Sequence, residues 1–273
     1  MRSTTTRKGY PLKVLVLGSG PAGLVASHAA ATAGASVEIV SLGRRSPLHG
    51  AQYLHEPIPG VPGIQHRTIT TTLYGTVDGY RRKVYGDAWK GTVSPEQFTG
   101  KAEAWDIRAT YDWLWDTYSG AITPCPLDGE MLPRFIPLAD FDVVFNTIPA
   151  DRLCINPSHT FGVQNVWAAG DAPEWRLVCP VRPRPETISL NGYETEGWYR
   201  GSNVFDHCTA EWPWRKGRKP PIEGIASVKK PLSTNCDCWP DIIRLGRYGK
   251  WAKGELVHAV YSEAAAALTS RVG

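Results

Sequence analysis

Residues 13 to 46 read KVLVLGSGPAGLVASHAAATAGASVEIVSLGRRS, and the pattern changes character three times within them. Lys13 to Leu17 is a short, nearly all-apolar run, the composition of a parallel strand buried on both faces. Gly18, Gly20 and Gly23 then make G-x-G-x-x-G, with Ser19, Pro21 and Ala22 between them. Leu24 to Ala33 is rich in alanine and predicts a helix. In a strand, glycine turn and helix of this order, the first glycine allows the tight turn, the second lets backbone approach a pyrophosphate, and the third brings helix against strand. The helix N-terminus turns free N–H groups and a positive dipole end toward the phosphates. The stretch therefore predicts a dinucleotide-binding βαβ unit.

Val37 to Val40 is its second strand. A ribose-binding acid is expected at the end of that strand, but the chain has Ser41, followed by Arg44 and Arg45. Loss of the acid beside arginines suits a 2'-phosphate, so NADP is the alternative cofactor. By strand alternation Glu38 points away from the ligand edge and is no substitute for the missing acid.

The letters GSGPAGL resemble the flavoprotein version of this turn, found in two-dinucleotide-binding-domain oxidoreductases. Two further stretches carry the resemblance. Leu138 to Pro149, LADFDVVFNTIP, reads as a buried strand from Phe141 to Phe145 stopped by Thr147-Ile148-Pro149. It is similar to the strand and turn with which amine-oxidase-like and UDP-galactopyranose-mutase-like flavoproteins return to the first sheet. LGRYGKW, from Leu245 to Trp251, precedes a helix expected over Gly254 to Arg271 and resembles the closing strand, turn and helix of the mutase-like group. The resemblance implies FAD as cofactor and Gly246, Arg247 and Tyr248 as residues beside it. It also implies flavin contacts from Gly50, Ala51 and Gln52 in the loop after the second strand. VQNVWAAGD, ending in Asp171, matches a strand whose carboxylate takes a ribityl or ribose hydroxyl in many flavoproteins. Because Ala172-Pro173 and PVRPRP follow, which no helix accommodates, Asp171 is the alternative to the terminal turn.

The intervening segments have their own signals. His66 to Tyr85, dense in Thr, Tyr and Val, reads as antiparallel strands. Ala102 to Tyr118 reads as a helix with Trp105, Tyr111, Trp115 and Tyr118 on one core-facing stripe. Pro185 to Pro213 is strand-like and contains Tyr199 and Arg200, an aromatic surface with a fixed cation that suits an anionic substrate or a structural ion pair. Arg215 to Lys230 reads as a basic surface loop. His49 and His55, in a loop rich in Gly and Pro, are acid/base candidates because imidazole titrates near neutrality. No Ser/His/Asp or paired-carboxylate constellation stands out, so no catalytic residue is assigned.

The chain has 273 residues, 42% of them hydrophobic, enough for a substantial core. The formal charge of +4 neither requires nor excludes an acidic partner. The local excess at Arg182, Arg184, Arg215, Lys216, Arg218 and Lys219 reads as a solvated face, with nucleic acid as the other reading. The N-terminus lacks a secretory apolar region and no window is long enough to span a bilayer, so a soluble cytoplasmic protein is expected. Six cysteines read as free thiols. Cys236-Asp-Cys238 is close enough to hold a metal, but no second pair at zinc spacing follows, and no metal is expected. Nothing in the letters gives the oligomeric state.

These pieces predict an α/β fold: a Rossmann-like FAD-binding domain from residues 10–60, 138–150 and 240–273, with a β-rich substrate-facing domain from 61–137 and 151–239 inserted. The functional expectation is a small FAD-dependent oxidoreductase or mutase taking an amine or sugar-nucleotide-like small molecule. Nucleotide or DNA modification is one setting for it, because the size and the Trp- and Arg-rich composition suit a phage or actinobacterial source. An NADP enzyme without flavin and a non-catalytic dinucleotide-binding or nucleic-acid-associated protein are the alternatives.

Overall fold

Strand β1 (Lys13–Leu17) sits at the centre of a five-stranded parallel sheet. Its alternate residues feed two cores. Val14 and Val16 pack under helices on one face, and Leu15 and Leu17 pack against Leu127, Leu132, Ile136 and Leu153 on the other. Both faces are covered, which is why the strand is a continuous apolar run. The computed structural model describes residues 10–50, 53–86, 98–169, 184–214, 219–220 and 225–272.

Glycine carries the chain from β1 into α1 (Pro21–Thr32), with Pro21 at its first turn and Gly20 as the N-cap. The chain returns as β2 (Ser36–Ser41), parallel to β1. Next come β3 (His66–Gly75), α2 (Val77–Tyr85), β4 (Gly100–Trp105), α3 (Ile107–Tyr118), β5 (Ile122–Pro124), α4 (Leu132–Phe135), β6 (Val143–Asn146) and α5 (Ala150–Leu153). The chain continues as β7 (Phe161–Ala169), β8 (Thr187–Gly192), β9 (Arg200–Val204), β10 (His207–Pro213), β11 (Ile225–Thr234) and β12 (Ile243–Arg244). It ends in two helices, here α6 (Gly246–Lys250) and α7 (Ala259–Val272). The first sheet runs β12-β6-β1-β2-β5. A second, mixed sheet runs β11-β7-β10-β9-β8-β3-β4. Among the described residues no helix is long and apolar enough to cross a membrane.

The α/β class and the parallel sheet agree with the sequence reading, and several elements differ from it. Residues 66–85 are one long strand followed by a helix, where antiparallel strands are expected. The helix starts because Thr76 Oγ1 accepts the Gly79 N–H at 3.0 Å, and Gly79 is needed because a Cβ there would overlap the Gly192 carbonyl. The helix expected from Ala102 begins at Ile107, capped by Asp106 Oδ1, which accepts the Arg108 and Ala109 N–H groups at 2.8 and 3.1 Å. Trp105 thus belongs to a strand and leaves the helical stripe. The basic segment 215–230 is not wholly a loop, because Ile225 onward pairs with β7 as β11. The terminal helix begins at Ala259, five residues later than expected.

Strands β1 and β2 from residues 10–60, β6 from 138–150 and β12 from 240–273 share one sheet. The stretch 61–137 is divided between layers. β5 pairs with the edge of β2, and α3 packs on α1, so residues 107–124 belong with the parallel sheet. His28 on α1 ties this layer together. Pro59 O can only accept, so Nε2–H donates to it at 2.8 Å, and Nδ1 accepts from Tyr118 OH at 2.9 Å.

Candidate functional site

The three glycines of the first turn do different work. Gly18 has φ +105, and a Cβ there would lie 2.6 Å from Thr147 Oγ1. A side chain at Gly23 would overlap the Gly18 carbonyl, so this glycine lets α1 close on β1. Gly20 is different: a Cβ would meet only Ser46 Oγ, at 3.8 Å. Among the described residues no atom demands glycine there. What the missing Cβ leaves open is backbone access at the N-terminus of α1, which has no side-chain cap and no acid in its first turn. That combination suits a pyrophosphate.

The turn is held from outside by Tyr111 on α3. Its hydroxyl donates to Ser19 O and accepts the Ser46 N–H, both at 3.0 Å. Ser19 Oγ also lies 2.7 Å from Ser41 Oγ, which in turn accepts the Gly43 N–H at 3.1 Å. Ser41 is buried, and its hydroxyl is engaged within the turn. Arg45 pairs with Asp112 and lies over the rings of Tyr111 and Trp115, while Arg44 is exposed. Of the three residues read as a 2'-phosphate site, two are thus committed to contacts within the protein.

The terminal turn is seated directly on the glycine turn. Gly246 has φ +66, and a Cβ there would lie 2.8 Å from the Cβ of Ala22. A side chain at Gly249 would overlap the Asn146 carbonyl at the end of β6. The NTIP turn is fixed by Thr147 Oγ1 donating to Leu17 O at 2.8 Å and by Ile148 N–H donating to Asn146 Oδ1 at 2.9 Å. So the glycine turn, the NTIP turn and the LGRYG turn share one end of the parallel sheet. Tyr248 OH is spent on Lys229 O at 2.8 Å. Arg247 reaches Pro231 O with one nitrogen, at 3.4 Å, while its buried Nε has no hydrogen-bond partner among the described residues.

Arg247 borders a charged network on the second sheet. The register places Arg200 opposite Glu211, which is fully buried. Glu211 accepts from Tyr199 OH and Arg200 at 2.5 Å each and from Lys230 Nζ at 2.6 Å. Burial alone would push the Glu211 carboxyl up, but the Arg200 and Lys230 cations, with hydrogen bonds from Lys230 and Tyr199, hold it down at about 2. Burial pulls Lys230 down to about 8, against the attraction of Glu211 and helped by Arg200 and Arg247. Two cations therefore share one carboxylate, and a third, Arg247, stands near them, lowered by burial and by Arg200 against the attraction of Tyr248 and Glu211. An anionic or strongly electron-rich ligand group would balance this excess. A Cβ on Gly50, φ +71, would lie 2.5 Å from Glu211 Oε1, which brings the loop after β2 onto the network.

Tyr199 and Arg200, read as substrate-facing, are both members of this network. Tyr199 is buried and its hydroxyl is directed at Glu211. His49 is lowered by burial and then by Arg108, and His55 by burial and then by His258, both of which favour neutral imidazole. His55 lies between the rings of Tyr53 and His258, with centroids 4.7 and 5.7 Å away. Ala51, Gln52 and Asp171 lie outside the described residues, as do Arg182, Arg215, Lys216 and Arg218. Sequence reasoning missed Tyr111 as the pin of the glycine turn, and it missed Glu211 and Lys230. Helical spacing marks Tyr111 only as core, and the Glu211 partners become neighbours only through strand register.

No protein-family model and no curated protein matches the chain. Solved structures do. A UDP-galactopyranose mutase in its reduced form is 11% identical with a TM-score of 0.58, over 97% of this chain and 94% of that one. A tryptophan 6-halogenase from Streptomyces toxytricini is 10% identical with a TM-score of 0.56, over 96% and 72%. A flavoprotein/dehydrogenase from Cytophaga hutchinsonii is 10% identical with a TM-score of 0.52, over 96% and 78%. At these identities the likeness is one of fold, a Rossmann-like parallel sheet beside a second, mixed sheet.

Proposed function

We propose that this chain is an FAD-dependent flavoprotein enzyme, an oxidoreductase or mutase, acting on a small-molecule substrate that carries an anionic group. The observation behind the proposal is the seating of Gly246 on Ala22 beside the open backbone of Gly20, which would put both turns along one side of a bound dinucleotide. Bound FAD would supply two-electron chemistry or a nucleophilic reduced ring, which no side chain here can provide.

The chain's own residues have separate tasks. The turn from Gly18 to Gly23 and the N-terminus of α1 hold the pyrophosphate. Tyr111, Ser19 and Ser41 keep that turn in shape. Arg247, Arg200 and Lys230 orient negative charge, and Glu211 keeps those cations aligned. Lys230, at about 8, is the group in the network able to hold or release a proton near neutrality. Amine and sugar-nucleotide substrates are the two classes in view. The excess of cations favours the sugar nucleotide, whose diphosphate matches a guanidinium.

Calorimetric titration of the ligand-free chain with FAD and, separately, NADPH tests the cofactor reading. One FAD per chain is expected, with NADPH weaker by about tenfold or more, a difference of about 1.4 kcal/mol. Gly20→Val should abolish FAD uptake while the far-ultraviolet circular dichroism persists, because only the ligand side of that position is open. NADPH binding with no FAD binding would overturn the reading and make Arg44 the centre of the site. Tight binding of duplex DNA without any dinucleotide would favour a nucleic-acid-associated role.

A further inference from the structure

Four possible metal ligands converge outside the glycine turn, at the end of the β7–β11 ladder. Cys154 directly follows α5, His159 precedes β7, and Cys236 and Cys238 follow β11. Their ligand atoms all lie within 4.8 Å of one another. Register brings them together: Thr234 of β11 pairs with Phe161 of β7, so Cys236 and His159 each stand two residues beyond that end of the ladder. The two loops are joined beside the cluster. Thr160 N–H donates to Asn235 Oδ1 at 2.7 Å, Thr234 Oγ1 to Thr160 O at 2.9 Å, and Trp239 Nε1 to Leu153 O at 2.8 Å.

We propose that Cys154, His159, Cys236 and Cys238 form a structural Cys3His zinc site. The separations are those a tetrahedral ion imposes. Zinc bonds to sulfur and imidazole nitrogen imply S···S edges of roughly 3.8 Å and S···N edges of roughly 3.6 Å. Cys154 Sγ lies 3.8 Å from Cys238 Sγ, and His159 Nδ1 lies 3.3 and 3.6 Å from these two sulfurs. Cys236 is buried and the other three are half-buried, and four protein ligands leave no open coordination position, which is the arrangement of a structural ion. Soft thiolates with one imidazole select zinc over magnesium or calcium.

The surrounding groups fit the same ion. His159 Nε2 faces Asp237 Oδ1 at 3.3 Å and the Asn156 amide nitrogen at 3.1 Å. Metal at Nδ1 requires Nε2 to carry the proton, and of these two neighbours only the carboxylate can accept a hydrogen bond from Nε2–H, so Asp237 is the orienting partner. Three thiolates and one divalent ion leave one net negative charge. Arg244 supplies the opposite charge: it donates to Cys236 O at 2.7 Å and Cys238 O at 2.6 Å, and it comes within 3.5 Å of Cys236 Sγ. Arg244 is in β12, two residues before Gly246. The ion would therefore tie the far end of the second sheet to the strand that carries the turn seated on Ala22.

The test is elemental analysis of the full chain, purified without a histidine tag, by inductively coupled plasma mass spectrometry. About one zinc per chain is expected. It should survive dialysis, be released by a mercurial as the thiols react, and be lost from Cys154→Ser and Cys238→Ser but kept by Cys125→Ser, whose thiol is outside the cluster. If the serine variants fail to fold, zinc content and mercurial release in the unaltered chain still decide the matter. Less than about a tenth of an equivalent of any metal in folded protein, or a Cys154–Cys238 disulfide found by mass, would overturn the proposal. So would iron in place of zinc, or zinc retained by both serine variants.

Discussion

Glu211→Gln keeps the shape of the side chain and removes its charge, so it isolates what the carboxylate does for Arg200 and Lys230. Held at about 2 against an ordinary 4.5, the Glu211 carboxyl has its charged form favoured by about 3 kcal/mol relative to the unfolded chain. That contribution is fully present above pH 4.5 and is lost as pH falls through 2. The amide removes it and leaves two cations facing each other in a buried place. The expected loss of stability at pH 6 is therefore about 3 kcal/mol, at the lower end of what breaking a buried pair costs. Lys230 sets the pH dependence. Its folded value of about 8 lies below the ordinary 10.5, so the unfolded chain binds more protons between those values and stability rises with pH there. Without Glu211, Lys230 falls further and gives up its proton earlier, so the deficit of the variant should shrink between pH 6 and pH 9. Urea denaturation followed by tryptophan fluorescence at the two pH values measures both effects. A loss below about 0.5 kcal/mol at pH 6, or a larger loss at pH 9 than at pH 6, would refute the coupling of these three residues.

Two further substitutions address the turns. Gly246→Ala places a side chain at φ +66, at a cost of roughly 1 kcal/mol, and forces its Cβ against Ala22; FAD affinity in a fluorescence titration should fall about tenfold or more, and unchanged affinity would remove the terminal turn from the site. Tyr111→Phe leaves Ser19 O and the Ser46 N–H without their common partner, which should lower stability by roughly 1–3 kcal/mol. Calorimetric melting measures it, and an unchanged melting temperature would mean that α3 does not pin the glycine turn.

What could be read from the letters was what depends on local backbone need. Gly18 and Gly23 are required by contacts within a few residues or across one strand, and they announce themselves with strand before and helix after. The stop at Thr147-Ile148-Pro149 and the turn at Gly246 are of the same kind. Strand β5 gave no signal because three residues at a sheet edge, one of them proline, carry no period. β11 was concealed by composition: Lys229 and Lys230 look like a solvated loop until pairing with β7 buries the second of them against Glu211. The glutamate network joins residues 199, 200, 211 and 230 through three ladders, β9–β10, β10–β7 and β7–β11, and nothing in the order of the letters reports register. For the same reason Cys236-Asp-Cys238 was visible as half of a metal site while Cys154 and His159, some 80 residues earlier, were not seen as its other half.

The most direct measurement of the central claim is the absorption spectrum of the purified chain, before and after incubation with FAD and removal of the excess, with the released chromophore identified by mass. Flavin bands at one equivalent per chain and FAD in the released fraction are expected. A folded chain that stays colourless after incubation, and whose melting temperature responds to NADPH but not to FAD, would contradict that claim.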